Sequence, residues 1–160
     1  MIIRKAQRQD LPVIMDIFER AKAFMRESGN PNQWQNYPTE EILLADVGRE
    51  ECFVMESENG IEGVFVMSFR PDADYEQPEA GFAPGAYASL HRLASAGREK
   101  GIFAAMLRFA QERADRLLGD THTDNRIIQS LLEKNGFRRR GEVVRYGEHF
   151  PTYEWRREWN

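Results

Sequence analysis

The segment with the clearest chemical signature runs from Ser89 to Phe103 and reads SLHRLASAGREKGIF. Apolar residues alternate at its start, a glycine-containing turn follows, and Arg98 and Lys100 stand beside Gly101 where a helical pattern begins. Free backbone amides at a helix N-terminus attract anions, and a glycine lets the backbone approach a phosphate closely. The segment therefore predicts a strand, an anion-binding turn and a helix.

The known nucleotide fingerprints do not explain this turn. The sequence has neither the glycine loop of NTPases, which ends in Gly-Lys-Ser/Thr, nor the dinucleotide pattern Gly-x-Gly-x-x-Gly. Without further context, Arg98-x-x-Gly101 more often marks an ordinary helix start. The identity of the anion therefore depends on the segments on either side.

Composition limits the class of protein. The chain has 160 residues, 41% of them apolar, which predicts one domain spanning residues 1–160. Its apolar runs are shorter than the ~18 residues of a membrane span, so we expect no membrane partner. The net charge of −4 disfavours nucleic-acid binding, and the single cysteine, Cys52, suits a reducing, cytoplasmic setting. A lone cysteine opening an apolar strand is expected to be buried and inert.

Hydrophobic periodicity predicts the element order βααβββαβαββ. Asp10 and Thr39 are the predicted N-caps of the first two helices, and Gly29 is the predicted end of the first. The two later helices are predicted at Arg98–Arg116 and Asn125–Asn135. The predicted strands are Ile2–Lys5, Cys52–Ser57, Ile61–Phe69, Tyr87–Ser95, one beginning at Leu117, one around Val143–Val144, and Tyr153–Trp159.

Two connections stand out in this pattern. Asn59-Gly60 predicts a hairpin turn, because both residues accept positive φ. Arg70–Ala86 is rich in proline and glycine, and a connection of that length is either functional or mobile. Hairpins mixed with strand–helix–strand units predict an α/β fold with a mixed sheet.

Three segments together give the chain a family resemblance. They are the strand–turn–helix at Ser89–Phe103, the stretch Asp120-Thr-His-Thr-Asp-Asn125, and Leu131-Leu-Glu-Lys-Asn-Gly-Phe137. In this order, with the opening Ile-Arg-Lys-Ala strand and the hairpin before the long loop, they resemble the GNAT family of acetyl-CoA-dependent N-acetyltransferases over nearly the whole chain. The resemblance implies a mostly antiparallel mixed sheet of about six or seven strands flanked by about four helices.

The resemblance also implies how acetyl-CoA, as co-substrate, is bound. The fourth strand would pair with the pantetheine arm, the turn would hold the pyrophosphate through its amides, and Asn125 would contact the arm. The expected cofactor-binding residues are Leu90, Arg92, Leu93, Ala94, Arg98, Glu99, Lys100, Gly101, Ile102, Phe103 and Asn125. No metal is expected, because three dispersed histidines without a cysteine cluster do not form a metal site.

Two positions depart from the family pattern. Phe103 stands where the pyrophosphate turn has a small residue, which removes one position of close approach. Leu132 stands where many members carry the tyrosine that protonates the departing thiolate. Because a free thiol has a pKa of ~8.5, solvent can supply that proton near neutral pH.

Transfer to an amine also requires a base, because an ammonium group has no lone pair. The candidates for base or proton relay are His91, on the predicted cofactor strand, and His122 and Glu148. For each histidine a structural role is the more frequent alternative. His149 is expected in a surface loop.

The acceptor is expected to be a primary amine of a small molecule or a peptide N-terminus. Trp34, Tyr37 and Tyr87 are the candidate substrate-binding residues, with packing over the core as the alternative for the first two. Acidic residues of the long loop form a field that attracts a cationic amine, or else a solvated surface. They are Asp72, Asp74, Glu76 and Glu79.

Three function classes remain open at this point. The first is an N-acetyltransferase, and the second is a non-catalytic acyl-CoA-binding or regulatory module with the same fold, which the residues at 103 and 132 suggest. A nucleic-acid module is a distant third because the balance of charge is acidic. The aromatic segment Tyr153–Trp159 is a candidate sheet edge or homodimer contact.

Overall fold

A computed structural model of the chain describes residues 1–34 and 36–159. Seven strands form one sheet, and four helices of eight or more residues accompany it in the described part. The strands are β1 Ile2–Lys5, β2 Cys52–Ser57, β3 Gly60–Ser68, β4 Ala88–Ser95, β5 Arg116–Asp120, β6 Arg138–Arg145 and β7 Glu148–Arg156. The helices are α1 Leu11–Glu27, α2 Glu40–Gly48, α3 Ile102–Gln111 and α4 Arg126–Lys134.

The sheet is mixed and mostly antiparallel, in the order β1-β2-β3-β4-β5-β7-β6. Only β4 and β5 are parallel neighbours among the described strands, and α3 makes the crossover between them. This confirms the predicted fold class and element order. No helix among residues 1–34 and 36–159 combines the length and apolar character that a membrane span requires.

Different helices pack on the two faces of the sheet. One core cluster joins α3 and α4 to the sheet through residues such as Met106, Leu132 and Leu90. The other lies under α1 and α2 and includes Ile14 and Val66. Because side chains alternate along a strand, β2, β3 and β4 each contribute to both clusters.

Several sequence-based boundaries are wrong. Helix α3 begins four residues after the predicted Arg98, because Gly101, at φ +77°, turns the chain into the helix. The predicted β2–β3 hairpin is present, and of its two turn residues Gly60 takes a positive φ, +113°. The last two strands are longer than predicted and meet at Tyr146-Gly147, where both residues have positive φ.

The predicted N-caps have different outcomes. Thr39 Oγ1 accepts a hydrogen bond from Ile42 N at 3.2 Å and caps α2 as predicted. Asp10 makes no side-chain cap to α1. Its carboxylate instead accepts bonds from Gln7 N and from the Arg4 guanidinium, because β1 places that cation beside it. The pKa of Asp10 lies below its usual range chiefly because of the bonds from Arg4.

The long connection between β3 and β4 is docked on the sheet. Its short 3-10 turn, Pro78–Ala80, lies against β6, and Thr152 Oγ1 donates to Ala80 O at 2.6 Å. A Cβ at Gly141 would lie 2.4 Å from Glu79 O, so backbone meets backbone at this contact. The loop is thus a fixed wall on the face opposite α3 and α4.

We expect Gly141→Ala to destabilise the fold by about 1–3 kcal/mol, since the clashing atoms are backbone and must be displaced. Chemical denaturation measures this loss. Gly48→Ala is the matched control, because a Cβ at this helical position meets nothing within 4 Å. Helix propensity then predicts an unchanged or slightly higher stability for the control. Equal stabilities of the two variants would contradict the tight contact between loop and β6.

Candidate functional site

The site is created by a divergence between β4 and β5. These parallel strands pair only at Ala88 with Leu117 and at Ser89 with Leu118, whereas β4 continues to Ser95. The sheet therefore opens as a cleft at the carboxyl ends of both strands. Ligands of open α/β sheets bind at such an edge, where the N-termini of the following helices also lie.

The predicted anion-binding turn lies at the mouth of this cleft. The first hydrogen bond of α3 runs from Ala105 N to Gly101 O, so the amides of Ile102, Phe103 and Ala104 precede the helical ladder. Gly101 is exposed, and a Cβ there would meet nothing within 4 Å, so its positive φ rather than crowding favours glycine. Amides at the first turn of a helix, together with the helix dipole, suit a phosphate group.

The side chains of this turn differ in whether they are held by contacts within the protein or are exposed to solvent. Arg98 donates to Glu62 and to Ile61 O, and this bonding anchors the turn to β3. Lys100 is exposed. Phe103 packs against the core cluster under α3, so its ring does not fill the turn. The larger residue at 103 is thereby accommodated without closing the anion site.

Asn125 begins α4 at the other side of the cleft. Its Oδ1 accepts from Ile128 N at 3.2 Å, and its Nδ2 donates to Gln33 Oε1 at 3.1 Å. Gln33 Oε1 also accepts from Asn30 Nδ2 at 2.9 Å. The segment between α1 and α2 is therefore tied to the N-cap of α4, beside the position predicted for the cofactor arm.

His91 lies on β4 within the cleft region. It pairs with Val66, so it faces the side covered by α1 and α2. Its Nε2 is 2.8 Å from Ser89 Oγ and 3.5 Å from Asp72 Oδ2. Since Ser89 Oγ donates to Ser68 O, Nε2 carries the proton and the lone pair falls on Nδ1.

Desolvation lowers the pKa of His91 below its usual range, partly opposed by the carboxylates of Asp120 and Asp72. The imidazole is therefore neutral near pH 7, the state in which it accepts a proton. Its side chain remains 21% exposed. Among the predicted base candidates, His91 combines a neutral ring with an uncommitted lone pair.

A polar network of four residues adjoins His91. The Tyr75 ring stacks on the imidazole with centroids 6.0 Å apart, and its hydroxyl donates to Asp120 Oδ2 at 2.7 Å. Arg145 binds both oxygens of Asp120 at 2.9 and 3.1 Å and also donates to Asp74. Burial raises the pKa of Tyr75 well above its usual range, so its hydroxyl stays protonated.

His122 and Glu148, both predicted candidates, are brought together. Asp124 N donates to His122 Nδ1 at 3.0 Å, so His122 Nε2 carries the proton and donates to Glu148 Oε2 at 2.9 Å. His122 is fully buried, whereas the Glu148 side chain is 40% exposed. In this pair Glu148 is the solvent-exposed carboxylate, and His122 orients it.

The three predicted substrate-binding aromatics have partners within the chain. Trp34 packs edge-on against Phe18 at 5.2 Å, and Tyr37 contacts Arg92 through its hydroxyl. The Tyr87 hydroxyl accepts from Asp72 N and donates to Glu76. Tyr87 also lines a surface concavity of about 470 Å³ at the amino ends of β4 and β5, the end opposite the cleft.

The remaining sequence-based expectations fall outside the polar centre. Leu132 is buried in the core, so α4 presents no phenol at that position. His149 is exposed and contacts Glu142 at 3.0 Å. In the described part of the chain no group of three or more His, Cys, Asp or Glu side chains is arranged to hold a metal.

Sequence reasoning missed three residues of this centre: Tyr75, Asp120 and Arg145. The bonds from Tyr75 and Arg145 to Asp120 span 45 and 25 positions of the chain, so no local spacing connects these residues. Asp120 stands at the carboxyl end of a strand beside the cleft, and that position was the one available signal.

Comparisons with known proteins agree with this architecture. No protein-family model matches the chain, and no curated protein matches it by sequence. A GNAT-family acetyltransferase from Streptococcus agalactiae superposes with a TM-score of 0.87 at 22% identity, covering 98% of this chain and 95% of that one. A GNAT-family acetyltransferase from Listeria monocytogenes gives 0.75 at 21% identity, with 97% and 94% covered.

A ribosomal-protein-alanine N-acetyltransferase from Brucella melitensis also superposes, with a TM-score of 0.64, 20% identity and 98% and 99% of the two chains covered. Similarity at this level of identity defines the fold. The chain has the GNAT acetyltransferase fold, as its sequence segments predicted.

Cys52 yields a prediction about reactivity. It is fully buried, and burial raises the pKa of its thiol to about 12. A raised pKa keeps the unreactive thiol form at pH 8, so we expect no labelling of the native protein by a disulfide reagent within minutes. Unfolding in urea should release one reactive thiol per chain, which is the control. Rapid labelling of the native protein would contradict this burial.

Proposed function

We propose that this chain is an N-acetyltransferase that moves the acetyl group of acetyl-CoA to a primary amine of a small molecule or a peptide N-terminus. The observation that carries the proposal is the cleft between β4 and β5, which has the N-termini of α3 and α4 at its mouth and His91 on its wall. The fold shared with GNAT acetyltransferases supports it.

The residues at the cleft suit the proposed cofactor. The amides that begin α3 would hold the pyrophosphate, with Lys100 adding positive charge. From Leu90 to Ala94, β4 has no partner on the β5 side, so the backbone groups that face the cleft are offered to the pantetheine amides, with Asn125 across from them. Acetyl-CoA supplies an activated thioester carbon to this site.

The reaction then needs one proton acceptor and one hydrogen-bond donor. The neutral amine attacks the thioester carbon, the C–S bond breaks, and the amine proton passes to His91 Nδ1, directly or through water. The carbonyl oxygen gains negative charge, which a backbone N–H of β4 stabilises. The departing thiolate takes a proton from solvent, because Leu132 offers none.

The oriented Glu148 is the alternative base, or a relay that passes the proton from His91 onward. Its exposed carboxylate and its bond from His122 suit the removal of a proton to solvent. The acids of the long loop are already engaged, with Asp74 bound to Arg145 and Glu76 to Tyr87. Asp72 Oδ2 lies 3.5 Å from His91 Nε2. Its negative charge therefore influences the histidine as well as contributing to the acidic field of the loop.

One observation favours the alternative of a non-catalytic acyl-CoA-binding module. Leu132 is buried in the core at the position where many family members have an acid. That alternative predicts tight acetyl-CoA binding without turnover on any amine. Turnover that depends on His91 would exclude it.

We expect acetyl-CoA to raise the melting temperature of the chain in a saturable way, because it binds the native state alone. The measurement is a thermal shift titration, followed by detection of CoA thiol across a panel of amines. The buried Cys52 should add no background to the thiol signal. Absence of any stabilisation by millimolar acetyl-CoA would overturn the proposed function.

We expect His91→Gln to lower kcat/KM by about 10²- to 10⁴-fold, the range for loss of a general base. Because the pKa of His91 lies below its usual range, activity of the native enzyme should persist to a lower pH than an ordinary histidine base would allow, and should fall only in more acidic solution. The residual activity of His91→Gln should lack this fall at low pH, because the titrating imidazole is gone. His149→Gln is the control, since that imidazole is exposed and contacts Glu142. An equal fall of kcat/KM in both variants would contradict the assignment of His91 as the base.

A further inference from the structure

Arg92, the residue after His91, has a backbone conformation that an arginine rarely adopts. Its φ is +52°, in the left-handed region. The pairing of β3 with β4 shifts at this point, because Val64 pairs with Ala94 while Val66 pairs with His91. Phe65 therefore lies opposite two residues of β4, Arg92 and Leu93, which defines a β-bulge.

The bulge changes which face each residue of β4 presents. His91 and Ala94 pair with residues of the cluster under α1 and α2, whereas Leu93 packs against the cluster under α3. The Arg92 side chain points to α2, on the same side as its neighbour His91. A regular strand would place these two consecutive side chains on opposite faces.

The guanidinium of Arg92 is held on three nitrogens. Nε donates to Asp46 Oδ2 at 2.8 Å, NH2 donates to Asp46 Oδ1 at 2.9 Å, and NH1 donates to the Tyr37 hydroxyl. The Arg92 side chain is 14% exposed and that of Asp46 is 2% exposed. A bidentate arginine–carboxylate pair fixes the plane of the guanidinium as well as its position.

A gain in folding stability alone explains the Arg92–Asp46 pair poorly. The attraction within a buried ion pair recovers little more than the free energy lost when both charges leave water. Desolvation raises the pKa of Asp46 even though Arg92 lies beside it, so the cost of burial is large here. The pair nevertheless fixes a residue in a left-handed conformation in the middle of the central strand. Such conformations persist where surrounding contacts determine them, and they occur most often at functional sites.

We propose that Arg92 is a positioning residue: clamped by Asp46 and Tyr37, it fixes the β4 bulge so that a bulge amide points at the thioester carbonyl. The bulge at Arg92 and Leu93 lies in the part of β4 that has no β5 partner, and a bulge frees an N–H from the strand ladder, so this donor would border the cleft. Through Asp46 of α2 and Tyr37 before α2, the clamp connects this part of the chain to the bulge of β4, which carries the amide donor and is adjacent to His91. The inference rests on the proposed function, because it assigns the donor of that reaction.

The clamp takes no part in proton or acyl transfer. Its guanidinium is fully engaged, and its effect is on the direction of a backbone dipole. Stabilisation of the developing oxyanion depends on donors aligned in advance, so a shift of the bulge weakens catalysis without removing a reacting group. We therefore expect kcat to fall and the KM for acetyl-CoA to change little.

The test measures polarisation of the bound carbonyl, which requires no knowledge of the acceptor. Acetyl-CoA carrying ¹³C at the carbonyl is bound to the full chain, and isotope-edited infrared spectra are recorded at saturation. Native protein should shift the carbonyl band to lower frequency. Arg92→Lys and Asp46→Asn should return the band toward its position in water, and Tyr37→Phe should do so in part.

Arg4→Lys is the matched control. Arg4 makes a comparable bidentate pair with Asp10, at 2.8 and 3.1 Å, on the edge strand β1. We expect this variant to keep the native carbonyl shift even where its melting temperature falls. With an amine that is turned over, kcat of Arg92→Lys should fall on the order of 10- to 100-fold.

The outcomes separate this inference from the proposed function. If native protein does not bind acetyl-CoA, the proposed function fails first. If native protein binds it and shifts the band, but folded Arg92→Lys and Tyr37→Phe keep the full shift, the clamp has no positioning role. Should Asp46→Asn fail to fold, the other two variants still decide the question, because each leaves the Asp46 carboxylate in place.

Discussion

The parallel pairing of β4 with β5 is the constraint on which the rest of the site depends. Two residue pairs join the strands before they part, and the following helices carry their N-termini to the gap. Backbone groups along the unpaired part of β4 are then free to bind a ligand, without any specialised side chain. A fold that leaves one ladder incomplete thus provides amides and carbonyls that a closed sheet would use internally.

Groups from distant parts of the chain meet on one face beside that gap. His91 comes from β4, Asp120 from the end of β5, Arg145 from β6 and Tyr75 from the long loop. Their mutual bonds leave one open basic nitrogen, Nδ1 of His91, next to carboxylates that are already paired. The centre therefore presents one basic nitrogen among paired charges.

Sequence patterns predicted the elements but not the connections between them. The order of strands and helices followed from periodicity, and the anion turn followed from Arg98, Lys100 and Gly101. The start of α3 was placed too early because apolar spacing does not reveal a glycine at φ +77°. The pairing of Arg92 with Asp46 was out of reach, because it depends on a bulge that the sequence does not mark. Asn125 was identified, although its bond to Gln33 was not.

The docking of the long loop on β6 has a consequence for the entropy of binding. Contacts at Ala80 and Gly81 divide the connection 69–87 into two shorter spans, each with less conformational freedom than the whole. That freedom is given up when the chain folds, not when a substrate arrives. An acceptor of the proposed reaction would therefore meet a wall already ordered around Tyr75 and Asp72, and little of its binding free energy would be spent on ordering the loop.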